Sequence, residues 1–484
     1  MIPIHKGGNR GSPANYRPVS LTSHLIKIFE KIIRKRIVEY MDERKLFNHT
    51  QHGFRAGRSS LSQLLAHFDK VLTYLEQGFN VDTIYLDFSK AFDKVDHLIL
   101  MQKLKKIGIG GKIASWIHSY LFHRKQVVVV NGIKSDSTEV VSGVPQGSVL
   151  GPLLFIIMLM DIDKSINSSF LSGFADDTRI SREIESLADT FKLQNDLNSV
   201  YKWAQQNNAE FNDTKFEHLP YGKNNDLKEV AVYLTGEGRR IATKTQTKDL
   251  GVIMQTNCSF SDHIKNVVSV TKDLSAWCLR TFNSRSPELM ITLWKQLIVP
   301  KLDYCSQLWS PHNSKVDTQE IEMTQRSFIR RIEGMSNYSY WDQLKRLKMY
   351  SLERRRERYI ITYVWYIVEG LVPNFDGSRR KLTTKWHPRH GRKCIVPIIR
   401  RSGYTDIIAS TLPVHGVKLF NVMPKKLRNL TGCSKETFKK LLNDILIMIP
   451  DEPQIRTYTA FIRAESNSIL DMIVHSVGLY ELDK

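Results

Sequence analysis

Short apolar segments alternate with longer helical patterns through the first half of the chain. Residues 2–4 and 16–21 flank a turn rich in glycine, asparagine and proline, which predicts two paired strands. Over residues 25–41, apolar residues recur about every 3.6 positions among lysines and arginines, as on an amphipathic helix. Similar patterns predict helices at 60–77, 148–160 and 187–203, strands at 83–88 and 126–131, and an apolar hairpin at 170–180.

The second half shows mainly helical periodicity. Its patterns predict helices at 263–282, 287–299, 318–332 and 352–369. Residues 377–401 then contain nine lysines and arginines and no acidic residue. This change of composition is the best candidate for a boundary into a basic C-terminal region.

The charge of the chain narrows the choice of partner. The 484 residues include 70 lysines and arginines against 49 acidic residues, which gives a formal charge of +21. A hydrophobic content of 42% excludes a disordered or collagenous chain. The positive charge favours a polyanion, either nucleic acid or a membrane surface, with a well-solvated basic surface as the alternative.

Cysteine usage and targeting signals indicate an intracellular protein. Five scattered cysteines without a C-x-x-C pair argue against a disulfide framework and against a zinc site. The longest apolar run, at 149–160, is shorter than the about 20 residues that a membrane-spanning helix needs. The N-terminus has no apolar core of a signal peptide. We therefore expect a protein of the nucleus or cytoplasm that is not secreted and has no membrane partner.

Three carboxylates stand in unusual settings. Asp87 ends an apolar strand, and Asp176 and Asp177 lie side by side in the apolar hairpin. Neighbouring acids among hydrophobic residues are costly, because burial and like charge both disfavour the ionised forms. A divalent cation would relieve that cost, and carboxylates on neighbouring strands can hold a pair of Mg²⁺ ions. A simple polar turn is the alternative for the Asp176 and Asp177 pair taken alone.

The neighbours of these carboxylates follow one another in a characteristic order. DFSKAFD at 87–93 precedes SGVPQGSVLGP at 142–152, and FADD follows at 174–177. The series closely resembles the reverse transcriptases of non-LTR (LINE-type) retrotransposons. NYRPVSL at 15–21, GFRAGRS at 53–59 and KDLGV at 248–252 are similar to further motifs of that family. The resemblance covers nearly the entire chain and becomes less specific beyond about residue 375.

The resemblance implies an α+β fold of the right-hand polymerase class. Fingers and an antiparallel palm sheet are expected at 1–245, a helical thumb-like region at 246–375, and a basic C-terminal region at 376–484. It also implies an RNA-directed DNA polymerase, a nucleotidyltransferase that copies an RNA template by adding dNTPs to a DNA primer. Asp87 and Asp176 become the principal ligands of two Mg²⁺ or Mn²⁺ ions, with Asp177 as the third acidic member.

Further residues receive roles by their positions in the family motifs. Phe92 is expected beneath the sugar of the nucleotide, where a ring would exclude a ribose 2′-hydroxyl, although core packing is an alternative. Gln146 is expected against the nucleotide, and Gly147 permits a close backbone approach. Lys6 and Arg17, on the fingers hairpin, are expected to bind the triphosphate. Lys215, after the catalytic hairpin, is expected to donate a proton to pyrophosphate. For Lys6, plain surface charge is the alternative.

Basic residues elsewhere are candidates for binding nucleic acid. Arg55 and Arg58 are expected on template phosphates, with a solvated surface as the alternative. In the basic C-terminal region, phosphate contacts with aromatic stacking compete with a solvated loop. The candidates there are Arg379, Arg380, Lys381, Arg392 and Lys393. A zinc site at His387, His390 and Cys394 is not expected, because a fourth ligand is missing.

The start of the chain departs from the family pattern. Relatives usually carry an endonuclease upstream, whereas one residue precedes the first strand here. We therefore expect a chain that lacks the N-terminal endonuclease, so that a separate endonuclease would nick the target. A truncated, inactive remnant that only binds nucleic acid is the alternative function. An RNA-templated RNA polymerase is a third candidate, against which Phe92 argues.

Overall fold

The computed structural model describes residues 1–223, 225–375, 378–451 and 467–475. Parts of the expected basic C-terminal region, at 376–377, 452–466 and 476–484, lie outside the described residues. The chain forms two compact units, one made of residues 1–63 and 80–245, the other of residues 64–79 and 246–484.

A five-stranded sheet is the centre of the first unit, in the order β11-β10-β3-β9-β8. Neighbouring strands are antiparallel except for the parallel pair β10 and β11. Separately, β1 pairs with β2, β4 with β7, and β5 with β6. The strands of this unit are β1 Ile2–His5, β2 Tyr16–Val19, β3 Asn80–Leu86, β4 Arg124–Gln126, β5 Val129–Val130, β6 Ile133–Lys134, β7 Thr138–Val140, β8 Phe170–Phe174, β9 Asp177–Ile184, β10 Glu217–Tyr221 and β11 Ala242–Thr243.

Helices pack around this sheet and bury a common apolar core. The helix at 151–158 is apolar on every side and fully buried, which is why it lies at the centre of that core. The helices of this unit are α1 His24–Glu43, α3 His97–Lys106, α4 Gly111–Leu121, α5 Gly151–Met158, α6 Leu187–Gln206 and α7 Asn225–Val230, with 3₁₀ turns at Pro13–Asn15, Ile162–Ser165 and Asp213–Lys215. Helix α2, Ser60–Glu76, follows α1 along the chain. Most of α2, from Leu64 onward, belongs to the second unit.

The predicted strands differ from the observed ones mainly at their ends. β3 starts three residues before the predicted strand and stops at Leu86. Asp87 leaves the ladder because its carbonyl accepts a hydrogen bond from the Asn212 amide at 2.8 Å. The predicted strand at 126–131 is divided between β4 and β5, which pair with different partners.

The second unit is largely helical. The predicted helix at 287–299 is interrupted by a π-helical turn at Trp294–Ile298, just before Pro300, which lacks the amide that a regular helix needs. A second π turn lies at Leu412–Gly416. Its elements are β12 Gln246–Asp249, β13 Val252–Gln255, α8 Ser261–Thr281, α9 Pro287–Leu293, α10 Val299–Asp303, α11 Ser306–Trp309, α12 Lys315–Ile329, α13 Tyr340–Leu347, α14 Leu352–Val368, β14 Thr384–His387, β15 Gly391–Cys394, α15 Thr405–Ser410, α16 Val417–Val422, α17 Lys425–Arg428, α18 Lys435–Met448 and α19 Ile469–His475.

Helix α14 is largely buried in the second unit. Ser351 caps it by accepting a hydrogen bond from the Arg354 amide, and its apolar residues Ile360, Ile361 and Trp365 are buried.

Within the described part of the chain, no helix combines the length and apolar character needed to cross a bilayer.

Candidate active site

The β8–β9 hairpin ends in a tight acidic turn. Phe174 pairs with Asp177, so that Ala175 and Asp176 alone connect the two strands. Ala175 has a φ of +56°, in the left-handed region that residues with a side chain rarely adopt. We call residues 174–177 the acid turn.

The sheet brings Asp87 to the acid turn. Strand β3 lies beside β9, and Leu86 pairs with Thr178 at the end of this ladder. In an antiparallel pair the next residue on one strand faces the preceding residue on the other, so Asp87 and Asp177 follow this last pair side by side. The three predicted carboxylates Asp87, Asp176 and Asp177 therefore occupy neighbouring positions at this end of the strands, and we call them the acid centre.

The carboxylates of the acid centre disfavour one another's ionised forms. Burial raises the pKa of Asp176, and the charge of Asp87 adds to this effect, while Arg17 and Lys6 oppose it. Partial burial of the carboxyl group raises the pKa of Asp177, and the charge of Asp176 raises it further. The Asp177 residue as a whole is nevertheless exposed to solvent. Three acidic side chains are thus concentrated at this end of the central strands.

Lys215 provides a cation at the acid centre. It ends the 3₁₀ turn Asp213–Lys215, and its Nζ lies 3.1 Å from Asp87 Oδ2. The backbone amide of Asn212 donates to the carbonyl of Asp87, so the segment that carries Lys215 is fixed to the end of β3. Lys215 thus lies beside one of the predicted carboxylates, and its role as a proton donor stays a prediction.

The donor chemistry of the acid centre fits hard divalent cations. Mg²⁺ and Mn²⁺ prefer carboxylate oxygens, and the raised pKa of Asp176 shows that its charge lacks full compensation from the protein. Asp87, Asp176 and Asp177 are the residues that would hold such ions.

A cavity of 520 Å³ lies along the β1–β2 hairpin in the same unit. Its lining includes Lys6, Arg10 and Lys90 as basic groups and Asp93 as an acidic one. Arg17 pairs with Ile4 in the hairpin, and Lys6 follows β1 with its amide bonded to the carbonyl of Asn15. Both predicted triphosphate residues therefore lie on one exposed hairpin, close enough to lower the pKa of Asp176.

The loop that carries Gln146 and Gly147 packs against strand β2. The Ser20 amide donates to the carbonyl of Gln146 at 2.7 Å, and a Cβ on Gly147 would lie 3.0 Å from the carbonyl of Ser20. Gly147 also has a φ of +97°, so both its backbone and its surroundings require glycine. Glu30 fixes the other side of the loop by accepting hydrogen bonds from the amides that precede α5.

Asp93 is a site residue that sequence reasoning missed. Its Oδ1 accepts a hydrogen bond from Gln146 Nε2 at 2.8 Å. Burial raises the pKa of Asp93, while Gln146, Lys6 and Lys90 oppose the shift. Its place at the end of the DFSKAFD motif was the available signal, but only the fold shows that it orients the predicted nucleotide residue.

Phe92 has features of both of its predicted roles. Its ring stacks on Phe155 with centroids 4.5 Å apart and meets Phe54 edge-on at 6.0 Å. The residue is nevertheless only half-buried. Core packing thus fixes the ring, and the part left open is available to a ligand.

Comparison with known proteins assigns this site to a family. The family model described as reverse transcriptase (RNA-dependent DNA polymerase) matches residues 4–254, which is more than half of the chain and includes the whole acid centre. The chain belongs to the reverse transcriptase family.

The relatives of this reverse transcriptase chain are encoded by mobile elements. It is 31% identical over 320 residues to the probable RNA-directed DNA polymerase from transposon X-element of Drosophila melanogaster, covering 63% of this chain and 34% of that protein. It is 29% identical to the RNA-directed DNA polymerase from mobile element jockey of the same species, over 70% of this chain and 38% of that protein. The chain thus spans little more than a third of the length of these relatives.

Among solved structures, a telomerase from Candida albicans in complex with a fragment of telomeric RNA aligns with a TM-score of 0.42 and 13% identity, over 72% of this chain and 55% of that one. The family match and the transposon relatives confirm the predicted kinship with non-LTR reverse transcriptases. The α+β right-hand class predicted for this family is likewise confirmed.

In the reverse transcriptase chain, Arg55 and Arg58 make contacts within the protein. Arg55 donates to the carbonyl of Asn48 at 3.0 Å, and its guanidinium lies over the ring of Phe47. Arg58 donates to the carbonyl of His49 at 2.5 Å. These contacts fold the 48–58 segment, and a role on template phosphates stays a prediction.

Two of the five basic residues predicted in the C-terminal region form ion pairs within the protein. Arg380 is 2% exposed and bonds to Asp69 and Glu76 of α2 at 2.7 and 2.9 Å. Arg392 pairs with Glu369 at 2.6 Å and donates to two carbonyls of the same unit. Both were predicted as nucleic-acid contacts. Their guanidiniums are bonded to partners within the protein, and a contact with nucleic acid stays a prediction for each.

The other three candidates of this region are exposed. Arg379 and Lys381 flank the buried Arg380, and Lys393 lies on β15 of the exposed β14–β15 hairpin. Trp386 on β14 is 67% exposed, so that an aromatic ring accompanies the basic side chains. This hairpin and its flank therefore keep the chemistry that phosphate and base contacts require.

A separate set of possible metal ligands lies in the second unit. Within the described residues, one group of three such side chains has its ligand atoms within 4.8 Å of one another, namely His312, Glu357 and His415. The two imidazoles are stacked with centroids 3.7 Å apart and planes tilted by only 26°. Nearly parallel rings aim their lone pairs along separate planes, so they do not converge on one ion. This group carries no metal assignment.

Proposed function

We propose that the chain is an RNA-directed DNA polymerase of a non-LTR retroelement. It would copy an RNA template by adding dNTPs to the 3′-hydroxyl of a DNA primer, with two Mg²⁺ or Mn²⁺ ions. The acid centre is the observation that carries the proposal. It brings together Asp87 after β3, Asp176 in the β8–β9 turn, Asp177 at the start of β9 and the Lys215 cation, all at one end of the central strands.

Asp87, Asp176 and Asp177 hold the metal ions in this proposal. When bound, a pair of divalent cations activates the primer hydroxyl and stabilises the departing pyrophosphate. Lys215 holds a proton next to Asp87 and delivers it to the leaving group. The raised pKa of Asp176, caused mainly by burial and further by the charge of Asp87, supports the assignment, since a bound cation would favour the ionised carboxylate.

The remaining residues bind and select the nucleotide. Lys6 and Arg17, on one exposed hairpin, neutralise the triphosphate. Gln146 is held in place by its hydrogen bond to Asp93, and Gly147 lets the backbone approach closely. The ring of Phe92, fixed by Phe155, excludes a 2′-hydroxyl.

Primer extension tests this proposal directly. Purified protein, an RNA template with an annealed DNA primer, dNTPs and Mg²⁺ should give extended product. Asp176→Asn should abolish extension without weakening template binding, whereas Asp136→Asn, an exposed acid elsewhere in the first unit, should leave it unchanged. Duplex binding without incorporation of any dNTP would reject the polymerase and favour a protein that only binds nucleic acid. Equal use of ribonucleotides and deoxynucleotides would favour an RNA-templated RNA polymerase.

A further inference from the structure

We propose that Gln51 is a positioning residue that holds the acid turn in its left-handed conformation and so sets the place of Asp176. No motif of the sequence marked this glutamine. Its effect on catalysis depends on the proposed polymerase function, whereas its effect on the acid turn does not.

The side-chain amide of Gln51 binds both polar backbone groups of one residue. Its Oε1 accepts a hydrogen bond from the Ala175 amide at 2.8 Å, and its Nε2 donates to the Ala175 carbonyl at 3.1 Å. The same Oε1 accepts from the amide of Gly53 at 2.8 Å. A carboxamide offers a donor and an acceptor with this spacing and needs no bound proton to do so. Gln51 is 7% exposed, so water has little access to replace it.

Backbone contacts align this glutamine with the turn. The Gly173 amide donates to the carbonyl of Thr50 at 3.2 Å, and the His52 amide donates to the carbonyl of Gly173 at 2.9 Å. These bonds make a parallel bridge between Gln51 and β8, next to the edge of the sheet. A Cβ on Gly53 would lie 2.3 Å from the Ala175 nitrogen, so the chain contacts the turn where only glycine fits.

The segment is fixed on its far side as well. The His52 imidazole Nδ1 lies 2.7 Å from Ser62 Oγ at the start of α2. The Arg58 guanidinium donates to the carbonyls of His49 and Gln51. Gln51 is therefore attached to a rigid support, which a positioning residue requires.

The expected consequence concerns geometry at Asp176. A left-handed alanine is strained and persists only where its surroundings impose it. Without the amide of Gln51, the peptide groups of Ala175 lose their partners and the turn relaxes. Displacement of a catalytic group by about 1 Å lowers the rate about 100-fold.

Two variants of Gln51 and one matched control test the inference. Gln51→Met keeps the shape of the side chain and removes all three hydrogen bonds. Gln51→Glu keeps the acceptor and removes the donor to Ala175, and it serves if the methionine variant fails to fold. The control is Gln194→Met, because Gln194 binds the amide and carbonyl of Leu234 in the same two-bond manner, at 2.8 and 3.0 Å, away from the acid turn.

The measurements separate positioning from general stability. In Gln51→Met we expect kcat for dTTP on a poly(rA)–oligo(dT) duplex to fall about 100-fold. The KM of dTTP and the Kd of the duplex should stay within about twofold of wild type. Hydrogen exchange at residues 170–180 should accelerate, and Mn²⁺ binding without nucleic acid, followed by electron paramagnetic resonance, should weaken about 10- to 100-fold. Gln51→Glu should show smaller changes in kcat and in exchange, in the same direction, and Gln194→Met should show none.

Unchanged kcat, exchange and Mn²⁺ binding in a folded Gln51→Met or Gln51→Glu protein would overturn the inference. Equal losses in Gln194→Met would also overturn it, because they would indicate general destabilisation. If the wild-type protein incorporates no dNTP, the polymerase proposal fails by itself. Exchange at the acid turn and Mn²⁺ binding then decide the role of Gln51, with Asp176→Asn marking complete loss of the ion.

Discussion

Lys215 Nζ lies 3.1 Å from Asp87 Oδ2, although the two residues are far apart in the sequence. Asp87 follows β3, and Lys215 precedes β10, the strand that pairs with β3 on the side opposite to β9. The Lys215 ammonium therefore reaches Asp87 from the β10 side of β3, and the acid turn lies on the β9 side of β3. This arrangement places one ammonium group next to the three carboxylates.

Removing the Lys215 ammonium should slow the chemical step. We expect Lys215→Met to lower kcat about 100-fold, because general acid catalysis typically contributes at least that factor. Lys215→Arg keeps the positive charge but gives up protons poorly, so it should lower kcat nearly as much. Single-turnover incorporation against pH measures this effect. Lys202→Met, an exposed lysine of α6, is the control; equal rates for Lys215→Met and Lys202→Met would contradict the assignment.

A smaller residue at position 92 should relax sugar selection. Phe92→Val opens the space above Phe155, and we expect kcat/KM for rNTPs relative to dNTPs to rise about 10- to 100-fold. Phe155→Leu removes the supporting ring and should lower stability with a much smaller change in that ratio. The ratio is measured with matched rNTP and dNTP pairs on one template. No change in Phe92→Val would leave Phe92 with core packing alone.

The His52 imidazole should make folding stability sensitive to acid. Burial lowers its pKa to about 3, with nearby Arg58 and Arg55 adding to the effect, whereas the unfolded residue titrates near 6.5. Below that value the unfolded chain takes up a proton that the folded protein refuses. His52 therefore stabilises the protein fully above about pH 6.5, and this contribution declines by about 1.4 kcal/mol for each pH unit down to about 3.

Urea unfolding of wild type and His52→Asn between pH 7 and 5 measures this contribution. The variant should show the shallower loss of unfolding free energy, by about 1.4 kcal/mol per unit below pH 6.5. The other buried histidines are present in both proteins, so they cancel in the comparison. Parallel curves would show that His52 ionises as freely in the folded state as in the unfolded one.

Neighbouring arginines should differ sharply in their effect on stability. Arg380→Ala leaves Asp69 and Glu76 buried without their cation, which should cost about 3–5 kcal/mol of unfolding free energy. Arg379→Ala, at an exposed position, should change it by less than about 0.5 kcal/mol. Chemical denaturation of the two variants and the wild type measures both changes in unfolding free energy. A small effect of Arg380→Ala would mean that the two acids find other partners or take up protons.

The exposed basic residues should govern the salt dependence of RNA binding. Replacing Arg379, Lys381 and Lys393 together by Gln should reduce the slope of log K against log salt by about 2, since each single-strand phosphate contact contributes about 0.7. The expected loss of affinity is largely independent of RNA sequence. Lys440→Gln, an exposed lysine of α18, is the single-site control. An unchanged slope in the triple variant would show that this surface does not contact RNA.

Local patterns predicted the elements whose signals lie within one segment. Helices α1 and α14 follow from repeats of apolar residues, and the acid turn follows from two acids in an apolar hairpin. The ordered motifs also predicted that Asp87 and Lys215 belong to one site. The resemblance to a family predicted that these two residues are neighbours, whereas the distance between them is determined by the pairing of strands in the sheet.

Burial could not be predicted from residue type. Arg379 and Arg380 are adjacent and chemically identical, yet one is exposed and the other is enclosed by Asp69 and Glu76. The difference depends on acids more than three hundred positions earlier, so no local pattern contains it. Gln51 escaped notice for the same reason, because its partner Ala175 belongs to a distant hairpin.

The sequence by itself determined the family, the carboxylates and the excess of positive charge, because each is a property of residue identity and order. The tertiary structure decided which charges remain available, because pairing and desolvation depend on what packs against each side chain. It also decided how the acid turn is held, through hydrogen bonds from Gln51 that span more than one hundred residues.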